Sequence, residues 1–142
     1  ACPTPFPYPK RTARGIETSR VQLLLAVLER RCGCFSRTHD VYVNVVGGLQ
    51  VRDPAVDLPL ALALASALKD VPLRPDLCMV GEVGLAGEVR PASRTQLRLR
   101  GGPRLGFRRA LVSRAERDVG RAEGVEVIAV KSLKEAMGVV MR

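Results

Sequence analysis

Long hydrophobic runs are missing from this chain of 142 residues. A bilayer-spanning helix needs about 18 or more apolar residues in a row. The longest candidate, Leu58 to Leu68, is too short, which excludes an ordinary membrane span. The start, Ala1-Cys2-Pro3-Thr4-Pro5-Phe6-Pro7, is broken by prolines and has no apolar core of a secretory signal. No initiator Met stands there either, so a fragment of a longer, cytoplasmic protein is expected. Histidine is nearly absent: His39 is the single one. Of the four cysteines, Cys32 and Cys34 are one residue apart and Cys2 and Cys78 are far off. That is not the spacing of a zinc knuckle, so reduced thiols and no metal are expected in this chain.

Catalytic signatures are scarce in the same way. No Gly-Lys-Ser or Gly-Lys-Thr phosphate loop occurs, nor a Gly-x-Ser-x-Gly elbow. A Ser-His-Asp triad would have to use His39, with no serine marked out for it. Asp53 and Asp57 are better explained as helix-start residues than as paired acid and base. The glycines of Gly81-Glu82-Val83-Gly84-Leu85-Ala86-Gly87-Glu88-Val89 lie between strands and open no helix, so they read as backbone geometry.

What is present is basic charge. Lys and Arg number 23 against 14 acids, a net charge of +9, and all but four of the cations are arginine. Arg suits phosphate because its planar fork donates two hydrogen bonds at once. The charge is unevenly spread: +5 over residues 1–38, −4 over 39–88, +8 over 89–115 with no acid at all, and zero over 116–142. The third block is a candidate polyanion surface.

Periodicity organises the rest into one α+β domain over residues 16–142, preceded by a Pro-rich basic arm or linker over 1–15. Val21, Leu24, Leu25 and Leu28 at i, i+3, i+4 and i+7 predict a helix over Thr18–Arg31, ended by Gly33. Leu23 and Val27 give it a second apolar side, which a neighbouring subunit is expected to cover. Val41–Val46 reads as a strand. Pro59 is tolerable only in a helix's first turn, so a buried helix is placed over Asp57–Lys69 with its N-cap near Asp57. Cys78–Val83 and Gly87–Arg90 read as a hairpin, and Ser93-Arg94-Thr95-Gln96 as a capping box opening a helix to about Leu105. Strands over Arg109–Ser113 and Val125–Val130 follow, then a last helix opened by Ser132-Leu133-Lys134-Glu135.

Several segments in one order carry a resemblance. Asp40-Val41-Tyr42-Val43-Asn44-Val45-Val46-Gly47-Gly48, Asp57-Leu58 with its alanine-leucine helix, Gly81 to Pro91, and Leu105-Gly106-Phe107-Arg108-Arg109-Ala110 together resemble the C-terminal domain of the bacterial RadA (Sms) family. Pro3-Thr4-Pro5-Phe6 and the Gly15–Arg31 helix extend the likeness over nearly the whole chain. That domain is similar to the proteolytic domain of Lon protease. The resemblance implies a Lon-like (ribosomal-protein second-domain-like) fold, a mixed sheet with flanking helices. It also implies a role in homologous recombination and DNA repair. The family's members are hexameric, ATP-dependent branch-migration proteins whose RecA-like ATPase and zinc finger would carry ATP, Mg and Zn; none of these is expected in this chain. Expected partners are DNA, further copies of the chain, its own ATPase domain and a recombinase.

Lon proteases are Ser-Lys enzymes, and the resemblance puts their two positions at Ala55 and Gln96. Neither a methyl group nor a neutral amide supplies nucleophile or base. Displaced dyads built on Ser93, or on Ser66 with Lys69, have structural readings instead: Ser93 as an N-cap, Ser66 bonding back to its helix, Lys69 favoured at a helix end. The function is then expected on the surface. Arg94 and Arg98, four apart on one helix face, are the leading phosphate contacts, followed by Arg100, Arg104, Arg108 and Arg90, with Lys10, Arg11 and Arg14 as a second set. Only Phe107 is aromatic in the basic block, so base stacking is not expected to be the main mode. Two rivals are a purely structural ring platform, whose arginines pair with acids such as Glu116 and Asp118 of a neighbour, and a Ser-Lys peptidase.

Overall fold

A computed structural model describes residues 1–47, 50–100, 105–116 and 124–141, with backbone only for Gln96, Leu97 and Arg100. The elements are β1 (Cys2–Pro3), β2 (Arg11–Arg14), α1 (Thr18–Cys32), β3 (His39–Asn44), a 3₁₀ turn (Pro54–Val56), α2 (Asp57–Lys69), β4 (Leu77–Met79), β5 (Glu82–Val83), β6 (Val89–Arg90), α3 (Thr95–Arg100), β7 (Arg109–Ser113), β8 (Glu126–Val130) and α4 (Leu133–Val140). The α+β class holds. Among the described residues the strands form three ladders: β1-β3-β2, which is mixed; the parallel β4-β7-β8; and the hairpin β5-β6.

One main core joins α1, α2 and α4 through Val21, Leu24, Leu28, Leu58, Leu62, Leu133 and Val140, with Leu111 and Val130 from the parallel sheet. Each such side chain contributes about 1.5–3 kcal/mol when fully buried. A smaller cluster of Leu99, Ala110 and Val112 seats α3 on the other side of that sheet. Gly33 closes α1 in the left-handed region at φ +66, its N–H donating to the Leu28 carbonyl. Ser132 caps α4 by accepting from the Glu135 N–H, while the Glu135 carboxylate reaches back to the Lys131 N–H rather than to that of Ser132.

Several expectations change. Residues 1–15 are extended, but they are not a detached arm: Arg11–Arg14 pair in parallel with Val41–Asn44, and Cys2–Pro3 pair with His39–Asp40. Both helix-start signals are used: Asp53 accepts from the Ala55 N–H to cap the 3₁₀ turn, and Asp57 is the first residue of α2. α3 ends at Arg100 rather than near Leu105. The Ser66 hydroxyl donates forward to the Val71 carbonyl at 2.6 Å, closing the end of α2 rather than bonding back into it. Val27 is buried within its own chain, beside the turn at Gly87, whereas Leu23 is 45% exposed. α2 is not covered all round, since Ala63 and Ala67 are exposed.

Candidate nucleic-acid interface

The turn before α2 is held from three sides. Asp53 caps it, the Gly81 N–H donates to the Ala55 carbonyl at 3.1 Å, and the Leu58 N–H donates to the Gly81 carbonyl at 3.0 Å. Gly81 allows that approach: a Cβ there would sit 3.1 Å from Val89 Cγ1 and 3.3 Å from Leu58 Cδ2. Ala55 is thereby buried at 6% exposure, at the edge of a shallow cleft of about 250 Å³ that Val51, Met79, Val80 and Arg98 also line. Gln96 is the second residue of α3, and its side chain lies outside the described residues.

Across the cleft, the Arg98 guanidinium pairs with the Asp53 carboxylate and donates through Nε to the Ser93 carbonyl at 3.0 Å. The Ala55 N–H, and after it Arg98, hold the Asp53 carboxyl below its ordinary pKa. Behind this pair lies Arg20 of α1, which sequence reading did not single out. It donates to the Asp53 carbonyl at 3.1 Å and faces the Asp57 carboxylate at 3.4 Å. Asp57 also accepts from the Val83 N–H, yet burial pushes its pKa up.

The predicted phosphate contacts sort into different environments. Arg94 is exposed, in the left-handed region at φ +55 just before α3. Arg108 is exposed. Neither has a carboxylate partner among the described residues. Arg98 is not free: one terminal nitrogen pairs with Asp53 and Nε donates to the Ser93 carbonyl. Arg109 lies 3.5 Å from both Asp76 and Glu126, and Arg90 lies 3.5 Å from Glu88. The Arg100 side chain and the whole of Arg104 fall outside the described residues. The capping bond expected from the Ser93 hydroxyl is not seen among the described contacts; the Thr95 hydroxyl, in the first residue of α3, instead donates towards the Ala92 carbonyl at 3.0 Å and the Glu116 carboxylate at 2.7 Å. Glu116 thus has a partner inside its own chain; Asp118 lies outside the described residues.

In the N-terminal set, Lys10 is exposed with its ammonium 5.3 Å from the Phe6 ring centroid, and Arg14 is exposed at the end of β2. Arg11 differs. Its guanidinium donates to the carbonyls of Lys10, His39 and Ser36 and to the Ser36 hydroxyl, lacing the start of β2 to the turn before β3. No group of three or more His, Cys, Asp or Glu side chains that could hold a metal occurs among the described residues, and no described helix is long and apolar enough to cross a membrane.

A buried turn at the start of α2 and Arg98 of α3 thus flank one shallow cleft in an α+β domain. Comparison with known families agrees on the class. Residues 16–139 match the Lon protease (S16) C-terminal proteolytic domain, and the chain belongs to that family. Within it, the chain is a Lon-like domain of the kind at the C-terminus of RadA. It is 43% identical over 136 residues to the DNA repair protein RadA of Bacillus subtilis and 46% identical over 131 residues to that of Escherichia coli. These alignments cover 95% and 92% of the chain but 30% and 28% of the relatives, so the chain spans under a third of their length.

Proposed function

We propose that the chain is a non-peptidolytic DNA-contacting and ring-forming domain of a RadA-type repair and recombination protein, acting in the cytoplasm. Kinship to proteins named for DNA repair supports the setting. The observation that carries the mode of action is the exposure of the cations Arg94, Arg108, Lys10 and Arg14, none of whose side chains makes an ion pair among the described residues, Lys10 lying near Asp40 without one. Such groups neutralise phosphates and release counterions without reading base edges. Ala55 stands where the family's nucleophile is expected, and its buried methyl supports a domain without peptidase chemistry. Exposed Leu23 on α1 supports contact with a neighbouring copy. Branch migration, ATP, Mg and Zn, and a recombinase partner belong in this proposal to the longer protein.

The test is a titration of fluorescent oligonucleotides of unrelated sequence at two salt concentrations. Binding that weakens steeply with salt and ignores sequence is expected. No binding at low salt would leave the structural-platform reading. Cleavage of casein by the purified chain, abolished by changing one serine, would overturn the non-peptidolytic part.

A further inference from the structure

The strand β3 has two edges, and one of them is largely bare. β2 pairs with it along Val41–Asn44. On the other side β1 reaches only His39 and Asp40, so beyond Ala1 the N–H and C=O groups of Tyr42 and Asn44 face a groove rather than a strand among the described residues. An open strand edge invites another strand. The far wall of this groove is α2, through Leu60, Ala63, Ala67 and Leu68, residues spaced as one stripe of a helix. The helix Asp-Leu-Pro-Leu-Ala-Leu-Ala-Leu-Ala-Ser-Ala-Leu-Lys carries charge only at its two ends, and a helix apolar all round is one that is covered all round. Here the stripe is left open, and the groove between helix and strand edge holds about 210 Å³.

We infer that this groove is the seat of one further β-strand, supplied in cis by the polypeptide that leads into Ala1 in a longer protein of the RadA kind. Three observations choose that occupant. Ala1 itself lines the mouth of the groove. The antiparallel register Cys2↔Asp40, Pro3↔His39, carried backwards, sets Ala1 beside Val41, the residue before it beside Tyr42 and the third residue before it beside Asn44. The RadA relatives are more than three times the length of this chain, so polypeptide is at hand. The occupant's chemistry follows from the walls: an extended segment of alternating character, one face apolar against α2. Docked there, it would turn β1 from a two-residue strand into a full one and make the start of this domain continuous with whatever precedes it. The inference does not rest on DNA binding.

Hydrogen exchange tests it. The chain of residues 1–142 is compared with the same chain extended by about ten of its native preceding residues, enough to span about 33 Å if extended. The amides of Tyr42 and Asn44 are expected to slow at least about a hundredfold in the extended protein at every concentration, while those of Val41 and Val43, already facing β2, change little. Ala67→Asp, at the exposed wall of α2, should remove the added protection and leave the melting of the 142-residue chain unchanged. Equal exchange of Tyr42 and Asn44 in the two proteins overturns the inference. So does protection that appears in the 142-residue chain itself and vanishes on dilution, since a second copy would then be the occupant.

Discussion

Two basic stretches of this molecule, Lys10–Arg14 and Arg90–Arg114, look alike in sequence and are used differently. In the first, Arg11 spends its donors on three carbonyls and a hydroxyl, all neutral. Its hydrogen-bond partners are neutral, and the carboxylate under its influence is Asp40, held below its ordinary pKa first by the Lys10 N–H and in smaller part by the Lys10 and Arg11 charges. In the second, Arg90, Arg98, Arg109 and Arg114 each face a carboxylate, and every one of those carboxylates comes from outside the stretch: Glu88, Asp53, Asp76 with Glu126, and Glu135. A block that sums to +8 along the chain is therefore much nearer neutral in space. Availability to a phosphate is decided by the tertiary partner, and among the described residues the two stretches end with similar numbers of exposed cations outside an ion pair: Lys10, over the Phe6 ring, and Arg14 in one, Arg94 and Arg108 in the other.

The sharpest way to break this comparison is Arg11→Ala. It removes the guanidinium's bonds to the His39, Ser36 and Lys10 carbonyls, the last two of which keep a backbone donor in the His39 and Val41 N–H groups, and hydrogen bonds from a charged group contribute about 1.5–3 kcal/mol. A loss of about 2–3 kcal/mol in urea denaturation is expected, only weakly dependent on salt because the hydrogen-bond partners are neutral and the Asp40 carboxylate feels Arg11 only as a minor influence. Arg11→Lys should recover less than half, since an ammonium cannot span the same fork. A cost under about 0.5 kcal/mol would return residues 1–15 to the status of a loose arm. The next effect is on binding. Arg94→Ala with Arg108→Ala should weaken DNA binding about tenfold, about 1.4 kcal/mol. The log–log salt slope should fall by about 0.7–0.9 for each phosphate that is no longer neutralised, with unfolding unchanged within about 0.5 kcal/mol. If affinity holds, Lys10 and Arg14 make the DNA contact instead.

Much of this was legible. The helices α1 and α2 were set by spacing and by Pro59, and α4 by its Ser-x-x-Glu start, because these signals are local. The parallel pairing of β2 with β3 was not, because Pro3, Pro5, Pro7 and Pro9 disguise a segment whose strand character is completed only by residues about thirty positions on. The positions Ala55 and Gln96 were expected from family likeness alone. That Arg98 is committed to Asp53, 45 residues earlier, could not, since nothing in either neighbourhood marks the other. Arg20 was missed for the same reason: it sits on the polar side of α1 and acquires its role only when the turn before α2 lands beside it.

Asp53→Asn sharpens the contrast within the second stretch. Asparagine keeps the cap on the Ala55 N–H and so should cost at most about 0.5–1 kcal/mol of stability. It removes the charge that holds Arg98. The freed guanidinium is expected to raise DNA affinity two- to fivefold and to steepen the salt slope by up to about 0.9. Unchanged affinity would mean that Arg98 faces away from the bound strand, and that the cleft edge beside Ala55 takes no part in the interface.

The smallest expected effect is the counterpart of the first. Arg109 lies 3.5 Å from two carboxylates, with its side chain 30% exposed and Glu126 68% exposed. Exposed ion pairs of this kind contribute about 0–1 kcal/mol and are screened by salt. Arg109→Ala should therefore cost under about 1 kcal/mol at low salt, falling towards zero at about 1 M, where the screening length is about 3 Å. Removal of Arg109 also leaves Asp76 and Glu126 uncompensated, which lowers the local positive potential without deleting a phosphate contact, so DNA binding should drop less than in the Arg94 and Arg108 pair. A salt-independent loss of about 2 kcal/mol or more, measured by the same urea titrations as for Arg11, would show that the two arginines do the same structural work, and that charge on the partner makes no difference to how an arginine holds two strands together.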